Sequence, residues 1–406
     1  MDELSLYEEI LQLKSPWFVE HVQLDASKTS VAVHVAFDED EPCRCPQCNQ
    51  ISPRYDQRKR KWRHLDTCQY KTFVHASVPR VMCKTHGCVT IAVPWAEQRS
   101  RFTALFEAMV IGWLQSSSIS AVSEQLSMSW NAVDGIMDRA VERGQLRQRQ
   151  QSPTHICVDE VSIKKGQKYM TIVSTPSGNV LAVEDDRNKD SLRRYYDTLT
   201  QQAKGKLEVI SMDMSPSYLP VTLEEIPGAN KKIAFDRFHV AQLINKALDQ
   251  VRKKESWKLR EYLKNNGLTG NRFLWLKGLE KLTREQKTKL DKLQSVSNKT
   301  GRAWLLKEYA RSLWDYTSRG WAERAWKRWY SRAIRSRLAP FKMVARSIKK
   351  NLWGILNAIV LNANNGPAES INSKIKMIKA KARGFRNKER FKTAILFHCG
   401  GLSLYP

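Results

Sequence analysis

The sequence predicts a mixed α/β domain that is interrupted by a long all-α insertion and preceded by a cysteine-knuckle ribbon and a small helical unit. Three observations predict it. Six of the eight cysteines fall between Cys43 and Cys88. Strand-like and helix-like segments alternate from 152 to about 240. Beyond that point strand patterning ceases and the chain turns basic and tryptophan-rich. At 406 residues, two to four folding units are expected. A hydrophobic content of 42% supplies a core of ordinary size.

Residues 1–100 form the first expected unit. A helical start is followed by "SKTSVAVHVAFDEDE", which alternates as a strand does. "CRCPQC" at 43–48 and "CKTHGC" at 83–88 are joined by the alternating segment "KTFVHASVPRVMC". Two knuckles joined by strands make a zinc-ribbon pattern, because zinc takes four nitrogen or sulfur ligands and a C-x2-C turn supplies two. Cys45 and Cys48 are the first pair and Cys83 opens the second, with His86 favoured as fourth ligand and Cys88 as its rival. No export signal is read in "MDELSLYEEI", so these cysteines suit a metal site in the reducing cytoplasm rather than a disulfide framework.

Residues 101–150 read as helices. "RFTALFEAMVIGWLQ" is followed by a short helix over 119–126, a turn at 127–129 and a longer helix from Trp130 capped by Ser129. This has helix-turn-helix form and makes Asn131, Asp134 and Arg139 candidates to face DNA.

Residues 151–240 change pattern. "THICVDEVSIKK", "KYMTIVSTPSGN" and "NVLAVEDDR" are three successive strand candidates, followed by a helix "DSLRRYYDTLTQQA", a strand "LEVISMDM", and "KKIAFDRFHV". Three strands, helix, strand, helix, strand is the order of an RNase H-like α/β domain. Residues 241–360 are expected to be the all-α insertion and 361–406 the closing helical part of the catalytic domain.

Charge divides the chain sharply. Residues 1–240 hold 30 basic and 30 acidic residues, whereas residues 241–406 hold 38 and 11, which accounts for the whole net charge of +27. Such asymmetry points to a polyanion, and double-stranded DNA is the expected partner. No stretch of about 18 apolar residues suggests a membrane span.

One glutamate stands out in this basic region, in "NNGPAESINSKIK". Pro367 suits the first turn of a helix, which places Glu369 where the helix dipole favours its charge. Asp159 and Asp213 end the apolar strands "HICVD" and "VISMD", at the carboxyl ends where open sheets hold ligands. Glu160 follows Asp159 and so points to the other strand face. Carboxylates gathered from distant segments repel unless a cation joins them, and hard oxygen ligands select Mg²⁺ or Mn²⁺. Asp159, Asp213 and Glu369 are therefore the expected catalytic and magnesium-binding set. Lys374, Lys376, Arg383 and Arg386 behind the glutamate are expected to hold the DNA backbone.

The stretches "CPQC", "WRHLD", "VDEVSIKKGQKYMTIV", "SMDMSPSY", "FDRFHV", "NNGPAESINSKIK", "ARGFRN" and "ILFHCGGL" together resemble a bacterial insertion-sequence transposase of the ISL-three family, over nearly the whole chain. The resemblance implies a DDE catalytic domain whose triad is Asp159, Asp213 and Glu369, with the insertion between the second aspartate and the glutamate. It implies that Asp236 and His239 form a D-x2-H signature of supporting or structural role. It implies a cytoplasmic enzyme that binds the terminal inverted repeats of its element and then cuts and joins DNA, as a dimer or higher assembly, with structural zinc and active-site magnesium. The insertion's tryptophans and arginines are expected to grip flanking DNA by stacking and phosphate contact. A zinc-ribbon/helix-turn-helix regulator and an RNase H-like nuclease are the rival classes.

Overall fold

The computed structural model describes residues 2–148, 152–164, 168–263, 270–363 and 366–406, the side chains of residues 164, 168, 262, 263, 296 and 366–369 excepted. The chain divides into two compact units, Met1–Gln148 with Leu402–Pro406, and Arg149–Gly401.

In the first unit, α1 (Glu3–Leu11) precedes β1 (Trp17–Asp25), β2 (Ser30–Phe37), β3 (Arg54–Arg63), β4 (Lys71–Cys83) and β5 (Gly87–Thr90). The strands form one sheet in the order β1-β2-β4-β3, with β5 paired to β4. Alternation explains its burial. Val31, Val33 and Val35 of β2 and Val74, Ala76 and Val78 of β4 point inward, where they meet Trp62 and the α1 residues Tyr7 and Leu11. The strands β1 and β3 were not expected from sequence. In β3, "RYDQRKRKWR", six of ten residues are basic, so no apolar alternation is visible. Backbone pairing to β4 from Arg54 to Arg63 makes it a strand.

Next come α2 (Ala104–Ser116), α3 (Ile119–Gln125) and α4 (Trp130–Gln148). Ser118 and Ser129 accept from the backbone N–H groups of Ala121 and Ala132 at 3.2 and 3.3 Å, which starts the last two helices. The end of the chain also belongs here. Arg143 donates to the Leu404 carbonyl and Arg147 to the Tyr405 carbonyl at 2.7 Å. At Gly144 any Cβ would stand 2.6 Å from Leu402 Cβ, so the close approach requires glycine.

The second unit is built on β6 (His155–Lys164), β7 (Lys168–Ser174), β8 (Val180–Asp185), β9 (Val209–Met212) and β10 (Ile233–Phe235), in sheet order β10-β9-β6-β7-β8. The pairs β6/β7 and β7/β8 are antiparallel, whereas β9 runs parallel to both β6 and β10. The helix expected after β8 is two, α5 (Lys189–Asp197) and α6 (Gln201–Lys206), because Thr200 caps the backbone N–H of Ala203 at 3.1 Å and restarts the chain. Two short helices, α7 (Leu219–Glu225) and α8 (Ala229–Lys232), lead into β10.

From Arg237 to Val360 the described regular structure is helical: α9 (Arg237–Leu263), α10 (Arg272–Leu276), α11 (Arg284–Val296), α12 (Asn298–Ser312), α13 (Arg319–Arg335), α14 (Ala339–Lys350) and α15 (Leu352–Val360), with two short 3-10 turns. These helices share one hydrophobic core with the sheet. The Phe235 ring meets Trp353 at 5.2 Å, and Gly354 leaves room for the same ring. The expectation that the tryptophans here stack on DNA needs correction. Trp275, Trp304, Trp326 and Trp329 are buried, because this bundle needs large apolar side chains for its own core; Trp257 and Trp321 are exposed. Finally α16 (Gly366–Lys381) and α17 (Lys388–Cys399) follow, with Lys392 of α17 reaching Asp185 of β8 at 3.2 Å. Among the described residues no helix is long and apolar enough to cross a membrane.

Candidate active site and metal centre

The knuckles of the first unit converge. The Sγ atoms of Cys45, Cys48 and Cys83 and a ring nitrogen of His86 all lie within 4.8 Å of one another. Cys48 and Cys83 sulfurs stand 3.6 Å apart, and His86 Nδ1 is 3.6 Å from the sulfurs of both Cys45 and Cys83. A tetrahedral zinc with usual bond lengths would set sulfur pairs about 3.8 Å apart and sulfur–nitrogen pairs about 3.5 Å apart. The donor set and its spacings fit that ion. Cys88 does not join the cluster. It faces Met82 across the β4/β5 pair while Cys83 faces Gly87, so alternation turns Cys88 to the exposed side. Backbone N–H groups of His86 and Thr85 hold the Cys83 thiol well below its usual range, which favours the thiolate that zinc requires.

The acids of the second unit meet where the parallel pairing of β6, β9 and β10 ends. In the β6/β9 register Cys157 faces Ser211, and two residues further on each chain stand Asp159 and Asp213. In the β9/β10 register Met212 faces Phe235, and one residue further stand Asp213 and Asp236. The Asp236 N–H donates to the Met212 carbonyl at 2.9 Å, which continues the ladder to this level. Asp213 and Asp236 thus follow the last residues of β9 and β10, whereas Asp159, expected to end its strand, lies inside β6, which runs on to Lys164 paired with β7.

Their surroundings oppose ionisation. Burial pushes the carboxyls of Asp159 and Asp213 above the usual range, and neighbouring acids push the same way. His239, at the start of α9, answers this. Its Nδ1 lies 3.0 Å from Asp236, and that contact, with the charges of Asp213 and Asp159, raises the imidazole above its usual value. Asp236 also accepts from the Phe238 N–H at 2.9 Å, so its carboxylate is held on two sides. Glu160 accepts from Arg187 at 2.7 Å, yet its charge still reaches Asp213.

The helix α16 docks on this edge through a residue that sequence reasoning missed. Asn372 donates to Asp159 Oδ2 at 2.8 Å, and Lys379 of the same helix donates to the Ile163 carbonyl. Glu369 lies on α16 three residues before Asn372, and residues at that spacing share a helix face. The side chain of Glu369 lies outside the described residues. The available signal was this spacing to an amide on the predicted helix. Lys374 and Lys376 on α16, and Arg383 and Arg386 after it, are exposed. Between α16 and β6 a cavity of about 400 Å³ is lined by Val161, Ser162, Lys376, Lys379 and Arg383 among others.

Two residues expected to face DNA are otherwise engaged. Asp134 is buried in α4 at 6% exposure. Arg139 donates to Glu107, a buried acid on α2 whose charge this arginine and Arg143 neutralise together. Both serve the packing of the helical unit, a role that polarity in the sequence does not distinguish from DNA contact. Asn131 is exposed at the start of α4.

Comparison with known proteins matches all three segments. Residues 156–395 match the DDE transposase domain of ISL3 elements. Residues 91–141 match the helix-turn-helix domain of transposase family ISL3, and residues 41–88 match the zinc finger of IS204/IS1001/IS1096/IS1165 transposases. The chain is similar to the transposase for insertion sequence element IS1001 of Bordetella parapertussis, 28% identical over 353 residues and 86% of each chain. It is also similar to the transposase for insertion sequence element IS1557 of Mycobacterium tuberculosis, 29% identical over 373 residues, or 85% of this chain and 83% of the relative.

Proposed function

The chain belongs to the ISL3 family of transposases, and from that premise we propose that Asp159, Asp213 and Glu369 form its catalytic acid set, on an RNase H-like sheet with helices α9–α15 as an insertion. The observation that carries this reading is the bond from Asn372 to Asp159. It holds α16 beside the level of the sheet where Asp159 and Asp213 stand, with Glu369 one turn away on the same helix face. Three antiparallel strands followed by two parallel ones support the RNase H-like assignment.

The donor set fits a hard divalent cation such as Mg²⁺ or Mn²⁺, since the half-buried carboxylates of Asp159 and Asp213 stay raised despite the nearby charge of His239. Such an ion would be held by Asp159, Asp213 and Glu369, and when bound supplies Lewis acidity for phosphodiester hydrolysis and strand transfer. The remaining steps belong to the chain. Asn372 fixes the orientation of the Asp159 carboxylate. Asp236 favours the protonated form of His239 beside the acids, and that form offsets part of their repulsion. Lys374, Lys376, Arg383 and Arg386 offer exposed cations to the phosphates of the cut strand. The zinc ribbon and helix-turn-helix bind the terminal inverted repeats, and two chains bring two ends together.

Incubating the purified protein with a duplex that carries its element's terminal repeat, in Mg²⁺ or Mn²⁺, tests the reading. Cleavage at the repeat boundary and joined products are expected. Cleavage with no joined product under any metal would mark a nuclease, and end binding without cleavage a regulator.

A further inference from the structure

The outer face of the ribbon sheet carries a row of side chains that the zinc site and the helix-turn-helix leave unexplained. Strand register places His21 opposite His34, His34 opposite His75, and His75 opposite Lys61. The imidazoles are stacked, His21 on His34 at 4.1 Å and 11° and His34 on His75 at 5.0 Å and 19°. Two residues from Lys61 on the same face stands exposed Lys59, opposite Ser77. Ala32 and Ala36 flank His34 on this face, so short side chains leave the ring edges open.

Acids are scarce around the row. Glu20 is 3.6 Å from His21. Asp56, the one acid of β3, is committed to Arg80, and Asp25 of β1 to Lys28 and Ser27. β2 and β4 contain no acid. Lys61 lies over the Phe73 ring at 3.7 Å, whereas Arg63, two residues on, is buried between Phe73 and Phe106 and paired with Asp66, so the exposed row ends at Lys61.

We propose that this face is a second DNA contact, in which the row His21–His34–His75–Lys61 binds backbone phosphates and binds them more tightly when its histidines are protonated. The proposal rests on the reading of the chain as a DNA-binding transposase. Four strands at about 4.8 Å spacing give a row about 14 Å long, comparable with about four base-pair steps of a DNA strand. Burial holds His34 and His75 below the usual histidine value, helped at His34 by His21 and at His75 by Lys61 and His34. His34 and His75 thus resist protonation, because stacked imidazolium rings repel. Phosphates supply the missing counter-charge. By linkage, whatever binds the protonated row gains affinity as pH falls.

The test measures binding of the full-length protein to a duplex of its element's terminal repeat and to a scrambled duplex of equal length. For the unsubstituted protein, affinity for both should rise severalfold between pH 7.5 and pH 6, and the double variant His34→Gln/His75→Gln should lose most of that rise. Lys61→Gln, on an exposed strand position that needs no refolding, should lower the slope of log affinity against log salt by about 0.9. Unchanged pH dependence in the histidine variant, or an unchanged salt slope in Lys61→Gln, overturns the proposal. Failure of the underlying reading looks different: the unsubstituted protein would not prefer the terminal repeat at any pH.

Discussion

The zinc-ribbon knuckles and the acid cleft treat negative charge in opposite ways. In the ribbon, backbone N–H groups hold the Cys83 thiol low, and the sulfurs already stand at zinc-like spacings. In the cleft, burial and like-charged neighbours hold the Asp159 and Asp213 carboxyls high. At Cys83 the charged form of the ligand is favoured; at Asp159 and Asp213 it is costly without a further cation. A metal that supports the fold and a metal that serves chemistry are expected to differ in this way. Zinc loss should therefore cost structure, whereas neutralising the cleft acids should cost reaction alone.

The largest effect is expected at the ribbon. Structural zinc contributes on the order of 10 kcal/mol in small domains, so Cys45→Ser or a strong chelator should unfold the ribbon and abolish preference for the terminal repeat. Metal analysis of the intact protein should find about one zinc per chain. His86→Ala should behave like Cys45→Ser, and Cys88→Ser like the unsubstituted protein. A zinc-free chain that keeps its fold and end preference would erase the contrast.

Next in size are the cleft acids. Asp159→Asn, Asp213→Asn and Glu369→Gln should each slow cleavage and joining by about 10³-fold, which is about 4 kcal/mol of barrier. Melting temperature at neutral pH should hold or rise for the two aspartate variants. The sign follows from the raised carboxyls: protonation favours the folded state, so stability from this source is present at low pH and is lost as pH rises through the folded values. A neutral amide removes that loss. Added Mg²⁺ should raise the melting temperature of the unsubstituted protein more than that of Asp159→Asn. A clear drop in melting temperature with activity kept would instead make these acids structural.

The same contrast governs what could be read from the sequence. The knuckles were legible because zinc spacing is local, and alternation in β4 and β6 announced both strands. The choice between His86 and Cys88 was not legible, since it depends on which way β5 turns beside β4. Asp213 was readable as closing a strand, but Asp159 lies inside β6, and the alignment of both with Asp236 depends on the register of β9 between its neighbours. β3 hid because an edge strand facing solvent needs no apolar alternation. Asp134, Arg139 and four insertion tryptophans misled for one reason: a polar or aromatic residue on a helix reads alike whether it serves a core or a partner. The return of Leu402–Pro406 to the first unit carried no pattern at all, as it rests on arginine contacts to backbone carbonyls.

Glu160 should give the smallest effect, and it sharpens the comparison most. It adjoins Asp159 in sequence, but strand alternation turns it to the other face, where it pairs with Arg187. The pair is partly exposed, at 26% for the glutamate and 44% for the arginine, so its loss in Glu160→Gln should cost no more than about 1 kcal/mol of stability. Cleavage at neutral pH should change by less than about threefold, within the range expected for an altered neighbouring charge. The pH profile should still move. The charge of Glu160 is one of the influences that raise Asp213, so removing it lets Asp213 ionise at lower pH. The acid limb of the rate profile should shift toward lower pH in Glu160→Gln, while the plateau stays near that of the unsubstituted protein. A loss as deep as that of Asp159→Asn would place Glu160 among the reacting groups and remove the distinction between the two strand faces. An unmoved acid limb would detach Glu160 from Asp213, and the raised carboxyl would then rest on burial and the remaining acids alone.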